Sequence, residues 1–347
     1  MNKQYGYIYR HSDYKEKDQS LIRAEKLSDI IKNSKEKKEI GEAYLEMGLI
    51  HFRHGDKESY EKMFHLSIDH HAEAAFTLMG LLNTVDLMPD LSEKILNTAR
   101  TLDTGIHEDG SMESAIPYLE NIVNKSDFIY SGPAKKLANL IEKEFEDKNG
   151  QIVDIGTGPG PFAIELRKRL PHSFNIVGYD VSKKMLDVAK GRIIASNLDI
   201  DLVLGPIIDP GRTRDDFNSL PFDAESVDIL VSHGSMHHWG GGKNNLPAVE
   251  AMLNELNRIL KPGGRMFIYD INPIGLGTRF IVKSNALKLL NRKYQHEAFA
   301  HSATHSLNKR HIKEMLGKLS GIKEWDVYPA VPFFPTGLIF HVIEIKK

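Results

Sequence analysis

Between residues 20 and 102 apolar side chains recur three and four apart, and no β-rich run interrupts them. That spacing is the mark of helices that bury one face. Ala43, Met47 and Ile50 fall on one such face with Tyr44 and Gly48 beside it. Tyr60, Phe64 and Ile68 repeat the pattern after the turn signal His54-Gly55-Asp56. Four or five short helices are expected here.

The pattern changes across the polar stretch DTGIHEDGSM at 103–112. Beyond it, helical spacing at about 113–125 and 133–146 leads into a series of short β-branched runs: IVDIG, FNIVGYD, DLVLG, VDILVS, RMFIYD, EWDVYPA and LIFHVIEI. Helical stretches separate the first five: FAIELRKRL, SKKMLDVAKGRI, a disrupted one near 212–220, and LPAVEAMLNELNRIL. Such alternation predicts an α/β fold with a doubly wound, mostly parallel sheet of seven strands. The last two runs lie too close together for a crossover helix, so they should pair antiparallel at an edge. A helical insertion at about 276–320 separates them from RMFIYD. The predicted organisation is an all-α accessory domain over residues 1–110, followed by the α/β domain over 111–347. Within the first, AYLEMGLIHFRHGDKESYEKMFHLSI looks like one tetratricopeptide helix pair, with the small Gly48 letting two helices approach.

Composition narrows the chemistry. The 347 residues carry a formal net charge of −2 and no cysteine. Disulfides, thiolate metal sites and cysteine nucleophiles are thereby excluded, and nothing favours nucleic acid as a partner. The polar N-terminus lacks the apolar core of a signal peptide, and no apolar run approaches the roughly 18 residues that cross a bilayer. The expectation is a cytoplasmic protein with no membrane partner.

The most informative stretch is Val153-Asp154-Ile155-Gly156-Thr157-Gly158-Pro159-Gly160-Pro161-Phe162. A strand ends, three alternate glycines follow, and a helix begins, which lets a ligand lie close against the backbone. A dinucleotide loop would read G-x-G-x-x-G; here the third glycine comes one residue early. Twenty positions past Gly160, FNIVGYD ends in Asp180, whose carboxylate can accept two ribose hydroxyls while Ser182 caps the next helix. D-x-G-x-G-x-G, then G-x-D-x-S-x-x-M-L, then LPFDAESVDILVSHGSMHHW and LNELNRILKPGGRMFIYD resemble, in order, the blocks of class I S-adenosylmethionine-dependent methyltransferases, the ubiquinone/menaquinone-methyltransferase-like group in particular. The resemblance covers about 150–270. It implies a Rossmann-like fold and S-adenosylmethionine as cofactor. It further implies that Asp154, Gly156, Thr157, Gly158, Gly160 and Phe162 surround the methionine part, with His233 and Gly234 nearby, and that Val181 and Met185 lie near the adenine. Relatives place an acid soon after the third strand. Asp209 is the candidate for it, with Asp215 and Asp216 as alternatives, because PGRTRDDFNS intervenes. Tyr130 is placed either to close over the cofactor or to sit in the core.

Methyl transfer needs an aligned acceptor and, for some acceptors, a base. His237 and His238 in Ser235-Met236-His237-His238-Trp239 are the candidates, His237 by similarity to the His-Asp-Trp of small-molecule O-methyltransferases; the alternative is that His-His-Trp only shapes the pocket. His301 and His305 have helical spacing but no supporting carboxylate beyond Glu297, so no metal is expected. The expected substrate is a small molecule or a peptide, methylated at O, N or C. The N-terminal helices are candidates for gripping a peptide or for forming a homodimer, and deletion of 1–102 is expected to leave cofactor binding in place. The competing classes are a non-catalytic cofactor-binding or scaffold protein and a nicotinamide oxidoreductase.

Overall fold

The computed structural model of the protein describes residues 6–14, 17–82, 84–102, 127–145, 149–206, 219–284, 300, 302–330 and 340–347. Among them eight strands build one sheet: β1 (Gly6–Tyr9), β2 (Gly150–Ile155), β3 (Phe174–Asp180), β4 (Asp201–Leu204), β5 (Val227–His233), β6 (Leu260–Ile271), β7 (Glu324–Pro329) and β8 (Phe340–Lys346), in the order β1-β4-β3-β2-β5-β6-β8-β7. Strands β2 to β6 run parallel. The β7–β8 pair is antiparallel and closes one edge, as the short connection requires.

All seven expected strands form. The eighth, β1, is antiparallel to β4 and is extended by His11, whose N–H donates to Asp201 Oδ1 at 2.9 Å. Residues 1–110, expected to be helical throughout, thus also contribute a sheet edge. Arg53 holds this strand from outside through its guanidinium on the Tyr9 hydroxyl (3.1 Å).

Period-two alternation gives each sheet face its own core. In β2, Ile152 belongs to one cluster and Val153 and Ile155 to the other. Against the first face pack α6 (Asp127–Glu144), α7 (Pro161–Arg167) and α8 (Lys183–Ala195); against the second pack α9 (Leu246–Ile259) and α11 (Lys309–Leu316). The insertion begins with α10 (Leu276–Ser284). The helix expected at about 113–125 and most of the stretch at 212–220 lie outside the described residues.

The N-terminal helices are α1 (Lys17–Asn33), α2 (Lys37–Arg53), α3 (Lys57–His70), α4 (Ala74–Met79) and α5 (Pro89–Leu102). Helices α2 and α3 form the expected hairpin. Gly48 faces Phe64 so closely that a Cβ would meet its ring at 2.6 Å, and Asp56 caps α3 by accepting from the Ser59 N–H. Apart from a small cluster of their own around Leu27, Ala43 and Ile50, these helices share the core of the sheet. Phe64, Phe76, Leu78 and Leu91 are continuous with Leu186, Val188 and Ile152 in one apolar cluster. None of the described helices is long and apolar enough to cross a membrane.

Candidate active site

Strand β2 pairs with β3 on one side and β5 on the other, so the chain leaves it in opposite directions and a crevice opens at the carboxyl ends. The glycine loop fills the floor of that crevice. Gly156 has φ +70° and faces Ser235, whose side chain lies 2.5 Å from where a Cβ would stand; no larger residue fits. Gly158 has φ +54° and open space where its Cβ would point. The first glycine therefore packs the loop down, and the second leaves room above it.

Backbone hydrogen bonds fix the loop to β3. The Gly156 and Thr157 N–H groups both donate to the Tyr179 carbonyl, at 2.8 and 2.9 Å. Gly158 N–H donates to Asp180 Oδ2 at 2.7 Å, and Ser182 N–H to Asp180 Oδ1 at 2.9 Å. One donor on each carboxylate oxygen holds the Asp180 side chain in place beside the glycine loop. Ser182 caps α8, accepting from the Met185 N–H, which separates the capping role from that of the acid.

The cleft is lined by Tyr130, Asp154, Gly156, Thr157, Gly158, Pro159, Pro161, Phe162, His233 and Gly234, and encloses about 300 Å³ of space that opens to solvent. Asp154 is buried beneath it and accepts from Thr157 Oγ1 at 2.7 Å. Burial pushes its carboxyl up to about 7; the Thr157 hydrogen bond opposes this and nearby Asp180 adds to it. A cation in the cleft would relieve that carboxylate. The opposite wall is aromatic. The His233 ring lies 4.8 Å from Tyr130, 5.1 Å from Phe162, 5.6 Å from Tyr269 and 5.7 Å from Phe340. Burial in that setting pushes the His233 imidazole down to about 4, so it is a neutral ring at physiological pH.

Eight of the residues expected around the cofactor thus come together: Tyr130, Asp154, Gly156, Thr157, Gly158, Phe162, His233 and Gly234 line the cleft, with Asp180 hydrogen-bonded to its rim. Gly160 turns the chain into α7 and faces Ala189 of α8. Met185 is buried in the first core, and Val181 packs against the second. Asp209, Asp215 and Asp216 lie outside the described residues, as does His301. Among the described residues no group of three or more His, Asp or Glu could hold a metal.

His237 and His238 stand on the 3-10 turn Met236–Asn244 after β5 and do not line the cleft. Ser235 anchors that turn: its hydroxyl donates to the Ile155 carbonyl (3.1 Å) and accepts from Trp239 Nε1 (3.2 Å). His237 is buried, with Nδ1 2.6 Å from Asp270 Oδ1, and the His238 ring centroid lies 4.1 Å away. Sequence reading missed Asp270 and Ser235. Asp270 ends RMFIYD, and an acid at the carboxyl end of a parallel strand was the available signal.

The chain is similar in sequence to known methyltransferases. Residues 153–268 match the family model described as a methyltransferase domain. Over 183 residues the chain is 30% identical to demethylmenaquinone methyltransferase of Lactobacillus johnsonii, spanning 50% of this chain and 69% of that protein. It is 31% identical over 126 residues to a ubiquinone/menaquinone biosynthesis C-methyltransferase of Geotalea daltonii, covering 36% of this chain and 46% of the relative. A solved S-adenosylmethionine-dependent methyltransferase from Aquifex aeolicus is similar over 62% of this chain and 97% of its own, at 16% identity and a TM-score of 0.40. The chain belongs to the class I methyltransferase family and is an S-adenosylmethionine-dependent enzyme.

Proposed function

We propose that the cleft between β2, β3 and β5 holds S-adenosylmethionine and that the chain methylates a phenolic or enolic small molecule, at oxygen or at the adjacent ring carbon. The observation that carries the cofactor placement is the Asp180 carboxylate, fixed at the end of β3, beside the glycine loop, by the backbone N–H groups of Gly158 and Ser182. In this reading Asp180 accepts from the ribose hydroxyls and Asp154 faces the amino group. Gly156, Thr157, Gly158 and Gly160 carry the backbone along the methionine part, and Tyr130, Phe162, His233 and Gly234 enclose it. Val181, Met185 and Asp209 are assigned to the adenine side.

The bound cofactor supplies a methyl group already activated on a sulfonium, so the protein must align an acceptor and exclude water; orientation accounts for up to about 7–11 kcal/mol. A base adds about 10²–10⁴-fold. His237 is the candidate, taking the acceptor's hydroxyl proton on Nε2, with His238 the second choice. Relatives named for demethylmenaquinone, ubiquinone and menaquinone support an acceptor whose hydroxyl sits beside a nucleophilic ring carbon. Apolar side chains of the N-terminal helices are buried in the core shared with the sheet, which favours a small molecule over a gripped peptide.

Two measurements test this. S-adenosylhomocysteine should raise the melting temperature where NAD does not, because a ligand specific to the folded state stabilises it. Asp180→Asn and Asp180→Ala should each lose that shift, and unchanged affinity in both would remove the ribose assignment. Methyl-labelled cofactor should then transfer label to a 2-alkyl-1,4-naphthoquinol; transfer only to amines or peptides would contradict the acceptor class.

A further inference from the structure

Helix α10 turns apolar side chains away from the core. Leu276, Arg279, Phe280 and Lys283 stand at i, i+3, i+4 and i+7, the spacing by which a helix presents one face. All four are exposed, whereas Thr278 is buried and Val282 half-buried on the other side. Leu276 and Phe280, 71% and 65% exposed, are the two most exposed large apolar side chains among the described residues. Ile274, on the turn into the helix, is 56% exposed. Asn272 closes that turn, its Oδ1 accepting from the Ile274 N–H at 3.3 Å. Single exposed apolar residues are ordinary; three in so short a stretch mark a contact surface.

Charge decides what the surface meets. Arg279 and Lys283 alternate with the two apolar side chains, and no acid among the described residues pairs with either. Between Asp270 and Glu297 the sequence holds Arg279, Lys283, Lys288, Arg292 and Lys293 and no acid, in a chain whose formal net charge is −2. A second copy seated on this face would set those cations against themselves, because a two-fold contact joins the same patch on both subunits. An anionic lipid surface suits both kinds of side chain. Apolar tips enter the boundary between headgroups and acyl chains, while basic heads stay among the phosphates.

We propose that this face of α10, together with Ile274, docks the protein reversibly on an anionic lipid surface. The expectation of no membrane partner rested on the lack of a spanning segment, which a helix lying in the interface does not need. Strand β6 runs parallel to β5 with Tyr269 opposite His233, so the chain from Asn272 into α10 leaves the sheet at the end where the cleft opens. A 2-alkyl-1,4-naphthoquinol collects in the acyl layer, and docking brings that end of the sheet to it. This use rests on the proposed acceptor class; the docking does not.

The test is co-sedimentation of the full chain with vesicles of phosphatidylglycerol or of phosphatidylcholine, without acceptor. The protein should pellet with the first and not the second, and high salt should release it. Each basic side chain near an anionic surface is worth about fivefold in binding, and each large apolar side chain buried there about tenfold. Leu276→Ser/Phe280→Ser and Arg279→Gln/Lys283→Gln should therefore each lower vesicle affinity by more than about tenfold. Both should keep the wild-type melting temperature and its rise with S-adenosylhomocysteine, because the four side chains lie outside the cleft and the core. No pelleting, equal pelleting with both lipids, or wild-type binding by either double variant overturns the proposal. So does a lipid-free dimer that Leu276→Ser/Phe280→Ser dissolves, which would give the face to a second copy. Failure of every naphthoquinol as acceptor would instead remove the acceptor class and leave the vesicle result standing.

Discussion

Asp154 and His233 line the same cleft and bias its stability in opposite directions. The Asp154 carboxyl sits at about 7 in the folded chain, against an ordinary 3.8. A raised acid favours folding fully below about pH 4, and that contribution is lost as pH climbs through 7. The His233 imidazole sits at about 4, against an ordinary 6.5. Its contribution is whole above 6.5 and disappears as pH falls towards 4. Subtracting two variants isolates the first effect: the melting temperature of Asp154→Asn minus that of the wild type should grow from pH 5 to pH 7 and level off above 8. The ceiling is on the order of 4 kcal/mol, several degrees for a chain of this size. A difference that stays flat across that range would show Asp154 to be an ordinary surface-like acid. Asp154 and Asp180 were legible because their spacing from the glycines is local in sequence. Asp270 was not, because what defines it is a contact 33 positions away across two elements.

Helices α4 and α8 meet backbone to backbone. A Cβ on Gly191 would stand 2.0 Å from the Thr77 carbonyl oxygen, and one on Gly80 2.3 Å from that of Val188. In an isolated helix Gly191→Ala would gain about 1 kcal/mol. Here the obstructing atom is backbone, which cannot rotate away, and overpacking costs about 1–3 kcal/mol or more. The net change should therefore be a loss, read as a lower urea midpoint; a more stable Gly191→Ala would mean that the two helices separate easily. The same variant should weaken S-adenosylhomocysteine, because α8 also starts at the Ser182 cap and its Arg192 holds the Pro159 carbonyl at 2.9 Å. At this scale the sequence pattern was read well wherever an element was long and periodic: β2 to β8 all appeared. Two things escaped it. A glycine inside SKKMLDVAKGRI reads as a weak point in a helix and not as a contact surface. Strand β1, four residues of GYIY flanked by polar residues, gives too short an alternation to stand out.

Over the whole molecule these contacts alter what the N-terminal third is for. Read from sequence, residues 1–102 were a separable accessory unit whose loss would spare the cofactor site. The structure leads to the opposite expectation. Removing them uncovers β4, a parallel-sheet strand whose outer hydrogen bonds are now made by β1 and whose exposure invites edge-to-edge association. It also strips Phe76, Leu78 and Met79 from the α8 face that buries Leu186 and Val188, and Lys184 loses its hydrogen bond to the Leu102 carbonyl. Each large apolar side chain returned to water costs roughly 1.5–3 kcal/mol, and a handful of them equals the 5–15 kcal/mol by which a typical domain is stable. A chain beginning at residue 103 should therefore aggregate or remain unfolded on size-exclusion chromatography, and should show no thermal shift with S-adenosylhomocysteine. A soluble monomer of 103–347 with undiminished affinity would prove the helices dispensable. The site would then need only the sheet and α6 to α8, and the interlock at Gly80 and Gly191 would serve contact between modules instead of the cofactor.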